Sequence, residues 1–543
     1  LITKKVYAVL IIILLVFIQF GCAPQIIEPE EQPVEEEHPV KGGKAVFAGV
    51  EPKVFNPILN TERDAYYFLK LIFEGLVDYD KDLRIRPVLA ESWDVTENGN
   101  VYTFNLRKGV KWHDGNELTA KDVVFTLEYL KSLKNLKNKE SLYLTNLDRV
   151  TFFEMVGDYS VKVVFDQRFN GALDILTFPV LPSHLYASAQ KLAKEEVEFK
   201  LIGTGPYRVK GYEPLKTLSL EVNDEWWDRE PYISEIEMKF VPDENTALTS
   251  FKSDQVDIVV TAYPDWERYS ENGKAEAKEF ITNKYDFIGL NFTNPIFQDR
   301  EFRRALQYGI DRNRIVEKVY LKHAAIVDVP VPPYTWLYSE GTPEYPYDPE
   351  KAKEILAEAG WMDRDNDGIL EKEINGIKTD IAFQLMVNTD NPKRHEAAAI
   401  IKENLTALGM DVKLVELTWD GLLDKVYKKQ FDAAILGWNL ANYLDLSFAF
   451  HSSQIDGGSN FVSYSSPDMD ALLQNDFRAI EPEMRKETSS RVQQYIRDEL
   501  PYNSLYFKKA ALLVKNRIRG EKEPREYNIF LDINNWYIPE DKQ

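Results

Sequence analysis

Asp363, Asp365 and Asp367 set carboxylates at alternating positions ahead of Gly368, and Glu371 falls at the ninth position counted from Asp363. This is how an EF-hand calcium loop begins, with oxygen donors spaced to wrap a hard cation. The twelfth position is Ile374, where the usual bidentate Glu would stand. A polar turn between Gly360 and the next strand accounts for the same residues without an ion, so both readings remain open. Other chemistry is sparse. His38, His113, His184, His323, His395 and His451 are scattered without metal-ligand spacing, and neither a G-x-S-x-G elbow nor a Walker sequence occurs. Cys22 is the single cysteine and has no local partner that would make it a nucleophile. The expectation is a protein with no catalytic residues and no cofactor.

The elements that would position these residues alternate between two periodicities. Lys44 to Ala48 and Val161 to Phe165 are expected as strands, and Val101 to Leu106 alternates as a half-exposed strand does. Asn56-Pro57 and Asp114-Gly115 mark turns. Thr119 is a helix N-cap with Asp122 at the third helical position, and Val123, Leu127 and Leu130 form the apolar face. Further on, Phe302, Leu306 and Ile310 share a helical face. Asp348-Pro349 opens another helix, with Ala352, Ile355, Leu356 and Ala359 inward and Gly360 ending it. Pro392 to Gly409 repeats the pattern through Ala398, Ile401, Leu405 and Leu408. Val412 to Leu417 and Phe431 to Leu436 read as strands beside it, which makes residues 300 to 500 an α/β lobe. No fixed-period repeat is present.

The chain of 543 residues is long enough for two or more domains. Its 88 acidic residues against 66 basic ones leave a net charge of −22, which disfavours nucleic acid and anionic lipid surfaces as partners. Lys4 and Lys5 precede an apolar run from Val6 to Ile18, the pattern of an export signal. A permanent span is the rival, but the run is shorter than the roughly 20 residues a bilayer needs. Cys22 closes this segment directly after the small residue Gly21. Its position resembles the lipobox of bacterial lipoproteins, although Gln19 stands where that pattern prefers Leu. Lipid on Cys22 would hold the protein at a membrane. Residues 23–42, rich in Glu and Pro, then read as an extended tether.

Four longer segments carry a family resemblance. Val88 to Thr126 (VLAESWDVTENGNVYTFNLRKGVKWHDGNELTAKDVVFT), Gly203 to Lys210 (GTGPYRVK), Asn294 to Val316 (NPIFQDREFRRALQYGIDRNRIV) and Ala434 to Ile455 (AILGWNLANYLDLSFAFHSSQI) resemble the family 5 extracellular solute-binding proteins of oligopeptide and dipeptide importers. The resemblance implies a large two-lobed α/β binding protein with a small domain inserted in the first lobe. Carried onto this chain, residues 1–22 are signal and anchor and 23–42 the tether. Lobe I takes 43–85, 195–290 and 501–543, the insertion 86–194 and lobe II 291–500. Hinge crossings are expected near Asn291 and Pro501.

The same resemblance implies function and site. It implies a monomer that captures short peptides on the outer side of the cytoplasmic membrane by closing its lobes. The partners it implies are ABC permease subunits with cytoplasmic ATPases, the membrane being reached through the lipid anchor. An oligosaccharide is the alternative ligand, and a hydrolase or a structural surface protein a more distant one. Leu436, Gly437 and Trp438 resemble a strand that runs beside a bound peptide, with Phe47 to Val50 as the facing strand. Trp438 would cover ligand surface or, alternatively, belong to the core. Peptide binders of the family place an Asp after this tryptophan to meet the ligand ammonium. Here Asn442 is nearest, and Asp445 follows three residues later. Trp112 to Gly115 reads as scaffold.

Overall fold

The computed structural model describes residues 38–543, except Glu97, 137–138, 195–197, Asn272, 341–344 and Lys522. Cys22, the apolar run and residues 23–37 of the acidic stretch lie outside the described residues.

Two long strands, Ala275–Leu290 and Tyr502–Lys515, run antiparallel through the middle of an eleven-stranded sheet. The first pairs along Lys284–Leu290 with the strand Ala433–Asn439. The second pairs through Ala511–Val514 with Ile258–Thr261. Each long strand therefore reaches a different half of the sheet. Their mutual ladder breaks between Ile281 and Tyr285. At the break Thr282 turns its hydroxyl onto the Lys508 carbonyl at 2.8 Å and accepts from the Lys284 backbone N–H at 3.3 Å. Such a bulge sharpens the twist and re-aims its side chains. Asn291 and Pro501 sit just past one end of the paired strands, so the interruption lies inside the pairing, before Asn291 and after Pro501.

On one flank Lys44–Gly49 lies parallel to Glu235–Phe240, which continues into the antiparallel strands Thr217–Val222 and Tyr207–Glu213. The core there gathers Phe47, Phe68, Phe530 and Trp536. On the other flank Ala382–Asn388 runs parallel to both Asp411–Leu417 and Ala433–Asn439. The helix Pro392–Thr406 covers these strands with Ala398, Ile401 and Leu405, and Leu408 just beyond it is also buried. The four strands Ala90–Val95, Val101–Leu106, Ser160–Phe165 and Val150–Gly157 make a separate antiparallel sheet.

Local expectations follow the physics that suggested them. Val101–Leu106 alternates half-buried and buried positions, because one sheet face meets core and the other water. The helix Ala120–Lys134 opens with Asp122 Oδ2 accepting from the Thr119 N–H at 2.9 Å, while Asp122 Oδ1 accepts from Ser183 N–H at 2.9 Å. Asp348 caps the helix Pro349–Glu358 by accepting from the Lys351 N–H at 2.9 Å. Gly360 follows with φ of +89°, the left-handed stop a glycine adopts freely.

Candidate ligand-binding groove

Three parallel strands end at the same edge of the sheet, and a cavity of about 460 Å³ lies there. Asn388, Asn391, Trp419 and Trp438 line it from the ends of those strands and the loops that follow. Open α/β sheets bind ligands at this edge because the loops diverge there and the helix N-termini point outward. The N-terminus of the helix Pro392–Thr406 is one of these, with Asn391 as its cap accepting from the Arg394 N–H at 3.2 Å. An anion is favoured at such an end.

The floor of this cavity is charged. Asp286, on a central strand, is 1% exposed. Arg394 donates to its Oδ1 at 2.7 Å, and Lys508 Nζ, on the other central strand, stands 2.9 Å from its Oδ2. Burial alone would raise the Asp286 pKa, but Lys508 and Arg394 outweigh it and hold the carboxyl below its usual range. Burial lowers the Lys508 pKa, and Asp286 offsets only part of that. Two cations thus share one carboxylate. Lys284 and Lys393 extend the positive surface, and among the described residues neither forms an ion pair. Burial and then Lys508 lower the Lys393 pKa, which is the response of a cation set among cations.

Lys284, Asn391 and Lys508 also line a second cavity of about 190 Å³. Arg63 and Glu526 are shared between that cavity and a third of about 470 Å³. Shared lining residues make the three cavities neighbours along a groove that follows the break in the central ladder. The third cavity is the more acidic. Asp78, Asp174 and Glu526 line it among Tyr66, Tyr79 and Tyr443, with Arg63 and Lys70 in the same wall and Lys70 paired to Asp78 at 2.8 Å. Glu526 accepts from the Asn283 backbone N–H and forms no ion pair among the described residues. Asp174 accepts from the Tyr79 hydroxyl at 3.0 Å, but its Oδ2 is buried without a hydrogen-bond partner. Burial raises its pKa, with Arg485 and Tyr79 acting against it.

The residues singled out from the sequence divide. Gly437 and Trp438 line the charged cavity, and Asn442 lines the acidic one, its Oδ1 accepting from Asn283 Nδ2 at 3.0 Å. Trp438 stands between cavity and core. One part of it meets the cavity, while the ring packs on Phe448 at 5.0 Å and Phe461 at 5.4 Å. Gly437 is required by close approach, since a Cβ there would collide with Arg394, Asp286 and the Tyr285 carbonyl.

Four of these residues stand apart from the three cavities. Phe47 is wholly buried against Phe68 and Phe530, and its strand is paired on both sides, leaving no free edge for a ligand. Val50 is exposed but lines none of the three cavities, its N–H donating to Asp64 Oδ2 at 3.2 Å. Leu436 is buried in the core under the groove. Asp445 accepts from the Ser447 N–H at 2.9 Å and lines none of the cavities, so its carboxylate caps a turn.

Asp286, Arg394, Lys508 and Glu526 were missed. A charge interrupting an apolar strand was the available signal for Asp286 and Lys508, and nothing local marks Arg394 or Glu526. The histidines also change meaning in three dimensions. His323, 5% exposed, stands 2.8 Å from Glu267 and 2.7 Å from Glu279, a cluster invisible as spacing.

An α/β sheet divided at a pair of long shared strands, with a groove across the division, defines a two-lobed binding protein. Sequence and structure comparisons agree. The family profile "Bacterial extracellular solute-binding proteins, family 5 Middle" matches residues 84–461, and this chain belongs to that family. The oligopeptide-binding protein AppA of Bacillus subtilis is 30% identical over 512 residues, covering 92% of each chain. The dipeptide-binding protein of Escherichia coli is 27% identical, over 83% of this chain and 86% of its own. The structure of Bacillus subtilis AppA with a nonapeptide superposes with a TM-score of 0.65 at 28% identity, covering 92% of this chain and all of that one. Among the described residues no helix is long and apolar enough to cross a membrane.

Proposed function

We propose that this protein captures short peptides outside the cytoplasmic membrane and delivers them to the permease subunits of an ABC importer, without chemical turnover. The observation that carries this reading is the polarity of the groove. The charged cavity holds Lys284 and a helix N-terminus, the acidic one holds Asp174, and Glu526 stands between them in the cavity it shares with Lys284 and Lys393. A peptide is a zwitterion with its charges at opposite ends, and buried charges are tolerated only when paired. Its carboxylate belongs at the lysine end and its ammonium at the acidic end. The relatives named for peptide binding support a peptide as the ligand.

In this reading lobe I comprises 43–85, 195–290 and 501–543, the insertion 86–194 and lobe II 291–500. The lobes close over the ligand by bending at the ladder break around Thr282–Lys284. Ligand contacts made only in the closed form supply the bias. Lipid on Cys22 tethers the body to the membrane.

The test is calorimetric titration of tri- to pentapeptides, together with their N-acetylated and C-amidated forms, combined with small-angle scattering. Free peptides should bind saturably and reduce the radius of gyration. Loss of either terminal charge should weaken binding about tenfold or more, the scale of a charge-assisted hydrogen bond. Lys284→Ala should erase the penalty for amidation, and Glu526→Gln the penalty for acetylation. Gentle purification followed by mass spectrometry of the retained ligand gives the counter-result: sugar, with no peptide affinity, refutes the proposal.

A further inference from the structure

The acidic loop 363–371 is not part of the groove, since none of its residues lines the three cavities. It joins the region after the helix Pro349–Glu358 to a hairpin of the strands Glu371–Ile374 and Ile377–Asp380. Asp363 organises the turn, its Oδ1 accepting from the Asp367 N–H at 3.1 Å and its Oδ2 from the Gly368 N–H at 3.0 Å. Asn366 and Gly368 take the left-handed conformation, with φ of +61° and +87°. The chain thereby curls until one carboxylate oxygen each from Asp363, Asp365 and Glu371 lies within 4.8 Å of the other two.

Clustered surface acids alone would be an ordinary solvated turn. Glu371 is different. It is 2% exposed, its Oε1 accepts from the Arg364 N–H at 2.9 Å, and its Oε2 is buried with no hydrogen-bond partner. A buried carboxylate oxygen left unpaired is costly. The neighbouring ammonium of Lys378 does not resolve this, because it pairs with Asp365 and stands 3.8 Å from Asp380. Lys378 occupies the outer side of the cluster, where a small cation would compete with it.

We propose that Asp363, Asp365 and Glu371 form a calcium site, with Lys378 as the counter-ion that calcium displaces. The donors are all hard oxygens, and an irregular loop with three carboxylates suits the flexible coordination of calcium better than the strict octahedron of magnesium. Water completes the shell. The loop is an EF-hand only in its first half, because Glu371 begins a strand and not a second helix. Its buried carboxylate takes the place left by Ile374 at the twelfth position. Affinity should be on the order of 0.1–1 mM, the range of extracellular calcium modules. Bound calcium would fasten the loop to the hairpin.

The test uses the full chain, freed of divalent ions, titrated with calcium chloride by calorimetry and by thermal melting. Terbium luminescence sensitised through Trp361, two residues before Asp363, reports occupancy at the loop. Wild type should bind one calcium ion saturably and melt several degrees higher. Asp365→Asn and Glu371→Gln should weaken binding at least tenfold, and Lys378→Met should tighten it several-fold. If Glu371→Gln does not fold, the exposed Asp365→Asn decides alone. No saturable binding by wild type up to about 10 mM calcium, above the range of such modules, overturns the proposal. So does unchanged affinity in the folded carboxylate variants.

Discussion

Arg394 Nη2 meets Asp286 Oδ1 at 2.7 Å, joining the first turn of a helix to a central strand 108 residues earlier in the chain. With Lys508 on the adjoining strand, the pair forms the charged floor of the groove. Burial makes each of these charges depend on the others.

Asp286→Asn should therefore destabilise the protein by about 3–5 kcal/mol, because two desolvated cations lose the buried anion they share. Urea denaturation measures the loss. The Asp286 pKa is depressed in the folded protein, so its contribution is fully present above the unfolded value. It disappears as pH falls through the folded value. Asp286→Asn should accordingly melt less steeply with acidification than wild type.

Gly437→Ala adds one methyl where the Tyr285 carbonyl would stand 2.8 Å away and the Arg394–Asp286 pair would be pushed apart. Overpacking of this kind costs about 1–3 kcal/mol. Ligand affinity should fall with stability, since the same residues line the cavity. Wild-type affinity with full stability would show that the backbone shifts freely here.

Glu74 predicts the opposite pH sign. Burial pushes its pKa from 4.5 up to about 7, against hydrogen bonds from Trp227, Thr204 and Trp226. Between those values the folded state holds more proton than the unfolded one, so stability decreases as pH rises through the interval. The full effect is at most about 3 kcal/mol. Thermal melts from pH 4 to 8 should lose this descending component in Glu74→Gln.

Cys22→Ser should abolish incorporation of labelled lipid and release the protein from membranes, while peptide affinity stays unchanged. Persisting lipid label in that variant would place the modification elsewhere.

The sequence by itself determined what depends on near neighbours. Thr119 and Asp122 are three residues apart, and the helix cap they form needs only that spacing. The alternation in Val101–Leu106 and the helical spacing in Pro392–Thr406 likewise report one buried face each. Four long segments carried the family. Tertiary structure alone decided which polar residues meet. Asp286, Arg394 and Lys508 converge only once two long strands pair in one register and a helix docks across them. A shift of one residue would turn Asp286 to the other face of the sheet. Tertiary packing likewise buries Phe47 against Phe68 and Phe530, although the order of residues favoured it as a ligand contact. Glu371 makes the point at short range, since its place in the sequence shows a carboxylate but not that folding leaves one of its oxygens buried and unpaired.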